Sequence, residues 1–390
     1  MVAERQATAT EDPSGVGLTA LLQDMRRDAV FDREWHRLAD VAVEANPFFD
    51  PGFLLPAARA LAASSGRPAL ALGRSTRGEL IALAPIFDRR VGGIARARSV
   101  WVHDYGPLGS PLLDRSRAEE AADALLAIAA SDRGLVVPHL PLDGLAAAAL
   151  REAASARGRA IDIVAPYRRA ALIRRPGVNP DLRAAQSSKR RKEFARQMRR
   201  LGELGGVTIE EASAPAAVEA AFDAFLVLEQ AGWKGAGGSA LASLPVIAGF
   251  AREAVMAQAA GGRCRANSLC LNGRPIAVAL SFLRDALVCT WKIAHDPQFE
   301  RFSPGAQLML ELGTLLLGNP AVDRVDSLAV PDHPMIDHLW DDRLAIGTLV
   351  LGPPRRSALF RLGIASARIQ ASTRERLRAV RRHIKSRSRT

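Results

Sequence analysis

The chain has 390 residues, 48% of them hydrophobic and 24% charged, with 53 Lys+Arg against 41 Asp+Glu for a formal net charge of +12. That length and balance fit a globular protein with room for two cores, and they exclude collagenous, low-complexity and disulfide-stapled classes. No apolar run reaches bilayer-spanning length, and the opening MVAERQATATEDPSG carries acids but no apolar stretch, so the expectation is an unexported, cytoplasmic protein.

In chain order, 69–74 and 80–88 read as a hairpin, followed by the strand SVWVHDYGPLGSPLLD, a helix over 117–130 and a strand over 134–140. A basic helical stretch, SSKRRKEFARQMRRLGELGG, ends in glycines. Helices over 216–230 and 244–260 then bracket the glycine-rich loop AGWKGAGGSA, which reads either as a connector or as a site. Strands over 266–271 and 275–283 pair through the tight turn Asn272-Gly273.

A strand over 286–294 follows, its alternation placing Leu287, Cys289, Trp291 and Ile293 on one face and Val288, Thr290 and Lys292 on the other. Ser303-Pro304-Gly305 opens a helix to 317, with serine as N-cap and proline at the first position. Its first-turn N–H groups and positive dipole end suit an anion. A strand over 324–330 completes the same order of elements met in the first half, so the fold expected is mixed α/β with a duplicated domain. The expected partition is a disordered start (1–17), two domains (18–180 and 181–352) and a tail (353–390).

The charge is not spread evenly. Between 355 and 390 there are 12 Lys+Arg and one acid, leaving the body nearly neutral. The tail's Leu359, Phe360, Ile364, Ile369, Leu377, Val380 and Ile384 recur loosely as one side of a helix. Such a segment suits an anionic membrane surface or stands solvated. Arginine is the default cation, lysine occurring only at 189, 192, 234, 292 and 385. Three cysteines, Cys264, Cys270 and Cys289, lack paired metal spacing and read as packing thiols; no metal site is expected.

The basic helix KRRKEFARQMRRLGELGGV, LEQAGWKGAGGSAL, CLNGRPIAVALSF, WKIAHDPQFERFSPGAQLM and DSLAVPDHPMIDHLW, in that order and spacing, carry a likeness. The chain resembles the CelD-like, cellulose-biosynthesis branch of the GNAT acyltransferase superfamily, and through it the Fem-type aminoacyltransferases with paired GNAT domains. The resemblance covers about 189–351, and the first half matches mainly through HDYGPLGSPLLD. It implies tandem GNAT-like domains, each a mixed, largely antiparallel sheet flanked by helices. It also implies transfer of an acyl group from a thioester, acyl-CoA or acetyl-CoA, to an amine or hydroxyl of an envelope or polysaccharide precursor.

Arg301-Phe302-Ser303-Pro304-Gly305-Ala306 departs from the spacing of the usual GNAT phosphate loop. Fem-type relatives take their acyl group from aminoacyl-tRNA, so a tRNA-borne donor, tracked by the basic helix, is one alternative, and a catalytically silent scaffold at the membrane surface is another.

For the donor, the resemblance points to Ser303, Gly305, Ala306 and Gln307 on the phosphates and to strand residues Trp291, Lys292 and Ile293 beside the thioester. No serine, cysteine or histidine constellation stands out, which favours direct attack over a covalent intermediate. Asp296 or His295, at the carboxyl end of the strand, is the candidate proton acceptor, with Asp326 as a further candidate. An Asp-Pro pair is also a common turn starter. Trp233 and Lys234 suit substrate contact, an indole face with a cation beside it. Asp104 and Tyr105, next to His103, hold the corresponding place in the first half, and His333 with Asp337 lies in the loop after the last strand.

Overall fold

The computed structural model describes residues 17–20, 29–66, 68–130, 133–178, 180–355 and 357–387, with backbone alone for 17–20 and 378–387. The elements of the first part are β1 (Gly17–Ala20), α1 (Ala29–Val41), α2 (Pro51–Ser65), β2 (Ala69–Arg74), β3 (Leu80–Val91), β4 (Ala95–Val100) and β5 (Leu112–Leu113). Next come α3 (Ala118–Ala129), β6 (Gly134–Pro141), α4 (Leu145–Ala156), β7 (Ile161–Ile173), α5 (Leu182–Ala185), α6 (Ser188–Gly202) and β8 (Val207–Ala212). They continue with α7 (Pro215–Ala231), α8 (Trp233–Ala236), α9 (Pro245–Ala260), β9 (Cys264–Leu271), β10 (Arg274–Arg284) and β11 (Leu287–His295). The last are α10 (Pro304–Gly318), β12 (Arg324–Asp326), β13 (Asp342–Leu351) and α11 (Ala358–Arg387). The expected disordered start, 1–17, falls outside the described residues but for Gly17.

Two compact units share these elements, and they interleave along the chain. The first takes residues up to 49, 65–167 and 345–390; the second takes 50–64 and 168–344. Sequence drew one boundary at 180/181 and set 353–390 apart, whereas the contacts give 50–64 to the second unit and the tail to the first.

In the first unit β1, β2, β3 and β4 are antiparallel neighbours, β6 runs parallel to β4, and β13 is antiparallel to β6. In the second, β8, β9, β10 and β11 are antiparallel neighbours, β12 runs parallel to β11, and β7 is antiparallel to β12. Each unit thus repeats a three-stranded meander, a helix (α3 or α10) and a parallel strand. The mixed α/β, tandem reading is borne out.

The expected strand from Ser99 to Asp114 is mostly loop. β4 ends at Val100, because Gly106-Pro107, Gly109 and Pro111 cannot sustain a ladder, and only Leu112–Leu113 pair again, with β3. The Asn272-Gly273 turn is as expected: both residues are left-handed, φ 52° and 75°, as a two-residue hairpin of this kind requires.

The second unit's core packs Leu308, Leu310 and Leu312 of α10 against Val288 of β11, Ala279 of β10, and Leu339 and Trp340 from the segment after β12. On its other side Phe53, Phe250, Phe282 and Trp291 meet edge to face or tilted, with centroids 4.9–6.0 Å apart. Buried Asp50 joins α2 to the sheet, accepting from Arg284 at 3.0 Å and pairing with Arg263 at 3.4 Å. In the first unit, Phe360 and Ile364 of α11 pack on Val91, Ala95, Ala97 and Val136. They turn inward while Leu359, Ile369 and Leu377 are exposed, so the expected single apolar side is split in two; Val380 and Ile384 lie outside the described side chains.

Candidate active site

The site lies at the carboxyl end of β11. Leu280 pairs with Lys292 and Ser281 with Thr290, so Trp291 is an extra residue, a β-bulge. The expected alternation fails here. Trp291 enters the aromatic cluster, whereas Ile293 packs with Val288 on the α10 side. β12 stops at Asp326, opposite Cys289, while β11 runs on to His295. Beyond that point the edge of β11 leaves its parallel partner behind.

His295 ends the strand, half-buried and beside the opening turn of α10: a Cβ on Gly305 would stand 3.5 Å from its Nδ1 and 3.6 Å from Ile293 Cδ1. Burial lowers its pKa from the usual histidine value, with the charges of Glu300 and Asp296 pulling the other way. The imidazole is therefore neutral near pH 7 and able to accept a proton.

Asp296, the other candidate base, is engaged otherwise. It is buried, Oδ1 accepting from the Gln298 N–H at 3.0 Å and Oδ2 from Arg274 at 2.9 Å, and it starts the 3₁₀ turn Pro297–Phe302. Asp326 also proves structural. It is buried in a 2.6 Å pair with Arg169, and its other oxygen accepts from Leu328 N–H at 2.8 Å. Neither carboxylate is among the residues lining the adjoining groove, whereas His295 is.

A groove of ≈ 140 Å³ joins β11 to α7 and α8, lined by Leu228, Glu229, Gly232, Trp233, Lys234, Ile293, Ala294, His295, Pro297 and Glu300. The glycine-rich segment builds one wall. α7 ends at Gly232, α8 makes a single turn, and Gly238 at φ +66° reverses the chain. Gly235 packs so tightly that a Cβ there would lie 1.8 Å from Gln230 O.

Trp233 is thereby left 76% exposed at the groove's mouth. Lys234 is held inside it, donating to buried Glu229 Oε1 at 2.7 Å, and Glu229 Oε2 accepts from Leu241 N–H at 2.8 Å. The connector is thus also a site wall. Sequence missed Glu229 and Glu300; the one signal for the former was an acid in the apolar run of α7, five residues before Lys234.

Burial lowers the pKa of His333; Asp337 opposes this, and the nearby Lys234 charge adds a smaller lowering. Its Nδ1 accepts from the N–H groups of Met335 and Ile336 at 3.3 Å, which places its proton on Nε2. Met335 Sδ stands 3.8 Å from the Gly305 Cβ position.

The turn expected to hold phosphates is only partly as read. Ser303 is left-handed, φ 52° and ψ 48°, and its side chain makes no cap bond, so the N–H groups of Gly305 and Ala306 donate none to it. Gln307 is turned away. It is fully buried, accepting from Arg183 at 2.8 Å and donating to Phe194 O at 3.0 Å, so it ties α5 and α6 to α10 instead of meeting a ligand. Trp291 is buried among phenylalanines, and the Lys292 ammonium lies 5.9 Å from its ring centroid; neither lines the groove.

Asp104 and Tyr105 belong to the first unit. There Tyr105 N–H donates to His103 Nδ1 at 3.2 Å and the His103 ring packs on Trp101. Burial pushes the Cys264 thiol up to about 12 and Cys270 up to about 11, and raises Cys289 as well, so none is a nucleophile. Among the described residues no cluster of His, Cys, Asp or Glu is arranged to hold a metal ion.

Residues 188–326, from the start of α6 to the end of β12 in the second unit, match the model of the acetyltransferase (GNAT) domain. Two solved structures are similar to nearly the whole chain. The C-terminal domain of a putative lysylphosphatidylglycerol synthetase from Agrobacterium fabrum has a TM-score of 0.51 and 11% identity, covering 88% of this chain and 96% of that one. FemX has a TM-score of 0.51 and 11% identity, covering 82% and 95%. At that identity the likeness is one of fold. No curated protein matches the sequence.

Proposed function

We propose that the second unit moves an acyl group from a thioester donor, acyl-CoA or acetyl-CoA, to an amine or hydroxyl, with His295 as general base. The observation that supports this most is the placement of the His295 imidazole, at the end of a strand edge that has outrun its partner and in one groove with Trp233 and Lys234; burial, which lowers its pKa, agrees with that role. The acceptor's N–H or O–H proton passes to His295 as its N or O bonds the acyl carbon, and the carbon–sulfur bond breaks with release of thiolate. N–H groups along Trp291–Ala294 are suited to polarise the carbonyl, and those of Gly305 and Ala306 to meet donor phosphate.

The groove has room for the acyl end of a donor and the reacting atom of an acceptor, so the phosphate-bearing part of the donor lies on open surface. Trp233 offers a flat face to the acceptor, and Lys234 a charge to an acidic group on it. We place the acceptor among envelope or polysaccharide precursors, and the chain near the CelD-like branch, on the sequence motifs.

Free CoA should raise the melting temperature of the protein, and His295→Gln should lose turnover without losing that shift. No shift with CoA would remove the CoA donor, and full turnover in His295→Gln would remove the base.

One observation favours a second donor, an aminoacyl-tRNA. α6 carries exposed Lys189, Arg190, Arg191, Lys192, Arg196, Arg199 and Arg200 beside the 3₁₀ turn that precedes α10. A tRNA donor predicts binding that falls steeply with salt, and a CoA donor does not.

A further inference from the structure

Helix α11 carries two apolar faces. Phe360, Ile364, Ala367 and Ala371 pack on the first unit. Leu359, Leu362, Ile369 and Leu377 are 62%, 58%, 67% and 55% exposed. At 3.6 residues per turn the second set centres roughly 145° from the first. Among the described residues only the first face is packed.

The rim of the unused face is cationic. Exposed Arg376 and Arg374 border it on its two sides, roughly 65° and 95° from its centre, while Arg361 and Arg368, the latter paired with Asp162 at 2.7 Å, lie toward the packed face; Glu375 is the one acid in a stretch, 355–390, that holds 12 Lys+Arg. A cover for this face must be apolar along its centre and anionic along its edge. The interface of an anionic bilayer has both properties. A second copy would bring the same cations against these, which argues against self-pairing.

We propose that α11 is a peripheral anchor, its packed face joined to the first unit and its outer stripe laid into an anionic bilayer surface. This is independent of the reaction. The many arginines of α11 suit it to lie on such a surface, and among the described residues no single helix is long and apolar enough to cross a membrane.

The test is co-sedimentation of the full chain with vesicles of phosphatidylcholine alone or mixed with phosphatidylglycerol. Binding should favour the anionic vesicles by about tenfold or more and weaken in high salt. The double substitution Leu362→Glu with Ile369→Glu should reduce it by about tenfold or more while leaving circular dichroism and melting unchanged, since both side chains are already exposed. Should that pair fail to fold, Ile369→Ser alone should still weaken binding. The proposal is overturned if the wild-type chain ignores anionic vesicles, if the folded variant binds as well as wild type, or if light scattering shows a dimer that the substitutions dissolve without any vesicle binding.

Discussion

His295 and Asp296 are adjacent, yet their environments give them different work. Replacing His295 by alanine should lower turnover by about 10²–10⁴-fold, read from steady-state rates on the folded variant. Its lowered pKa fixes the direction of the pH profile: the active, neutral form persists below the usual histidine value of 6.5, so the acid limb of turnover should lie below that pH. Asp296→Asn keeps an oxygen for the Gln298 N–H and loses only a pair with a well-exposed arginine, so turnover should stay within a few-fold. A collapse equal to that of His295→Ala would return Asp296 to the mechanism. Stability should move with pH as well. His295 and His333 both have folded-state pKa values below the unfolded one, so the unfolded chain binds protons first as pH drops through 6.5, and melting temperature should decline from there downward.

The elements show how far the sequence could be read. The Asn272-Gly273 hairpin and the Ser303-Pro304 helix start were legible because each is decided within a few residues. The bulge at Trp291 was not, since it comes from the register of β11 against β10, and it turns Trp291 into the aromatic cluster and off the groove. Gln307 and Asp326 were misplaced for a related reason: a polar residue near a strand or helix end looks available until its partners, Arg183 and Arg169, are brought from more than a hundred residues away. Asp326→Ala should cost about 3–5 kcal/mol in chemical denaturation, because it strands the buried Arg169 guanidinium. Gly235→Ala forces a methyl onto Gln230 O, so a loss of about 1–3 kcal/mol should accompany displacement of Trp233 and weaker substrate binding, seen as a raised KM.

At the scale of the molecule, the tail is part of the fold as well as a charge reservoir. Phe360→Ala should destabilise by about 3–5 kcal/mol, whereas Leu362→Ala, on the outer face, should change melting little. Deleting everything after Gly352 therefore does not cleanly separate a membrane tether from an enzyme, because it also strips a wall from the first unit. Composition located the cations but not this packing, which depends on a hydrophobic patch contributed by β3, β4 and β6.

The interleaving of the two units also governs how the protein is made. β13 and α11 are the last described segments to leave the ribosome, and the first unit needs both to close its sheet and cover its apolar patch. Its amino-terminal strands must wait, incomplete, through synthesis of the whole second unit, and birth order is thus reversed in the order of completion. A nascent chain stalled before 345 should remain open to protease in its amino-terminal half, with chaperones holding that half until release.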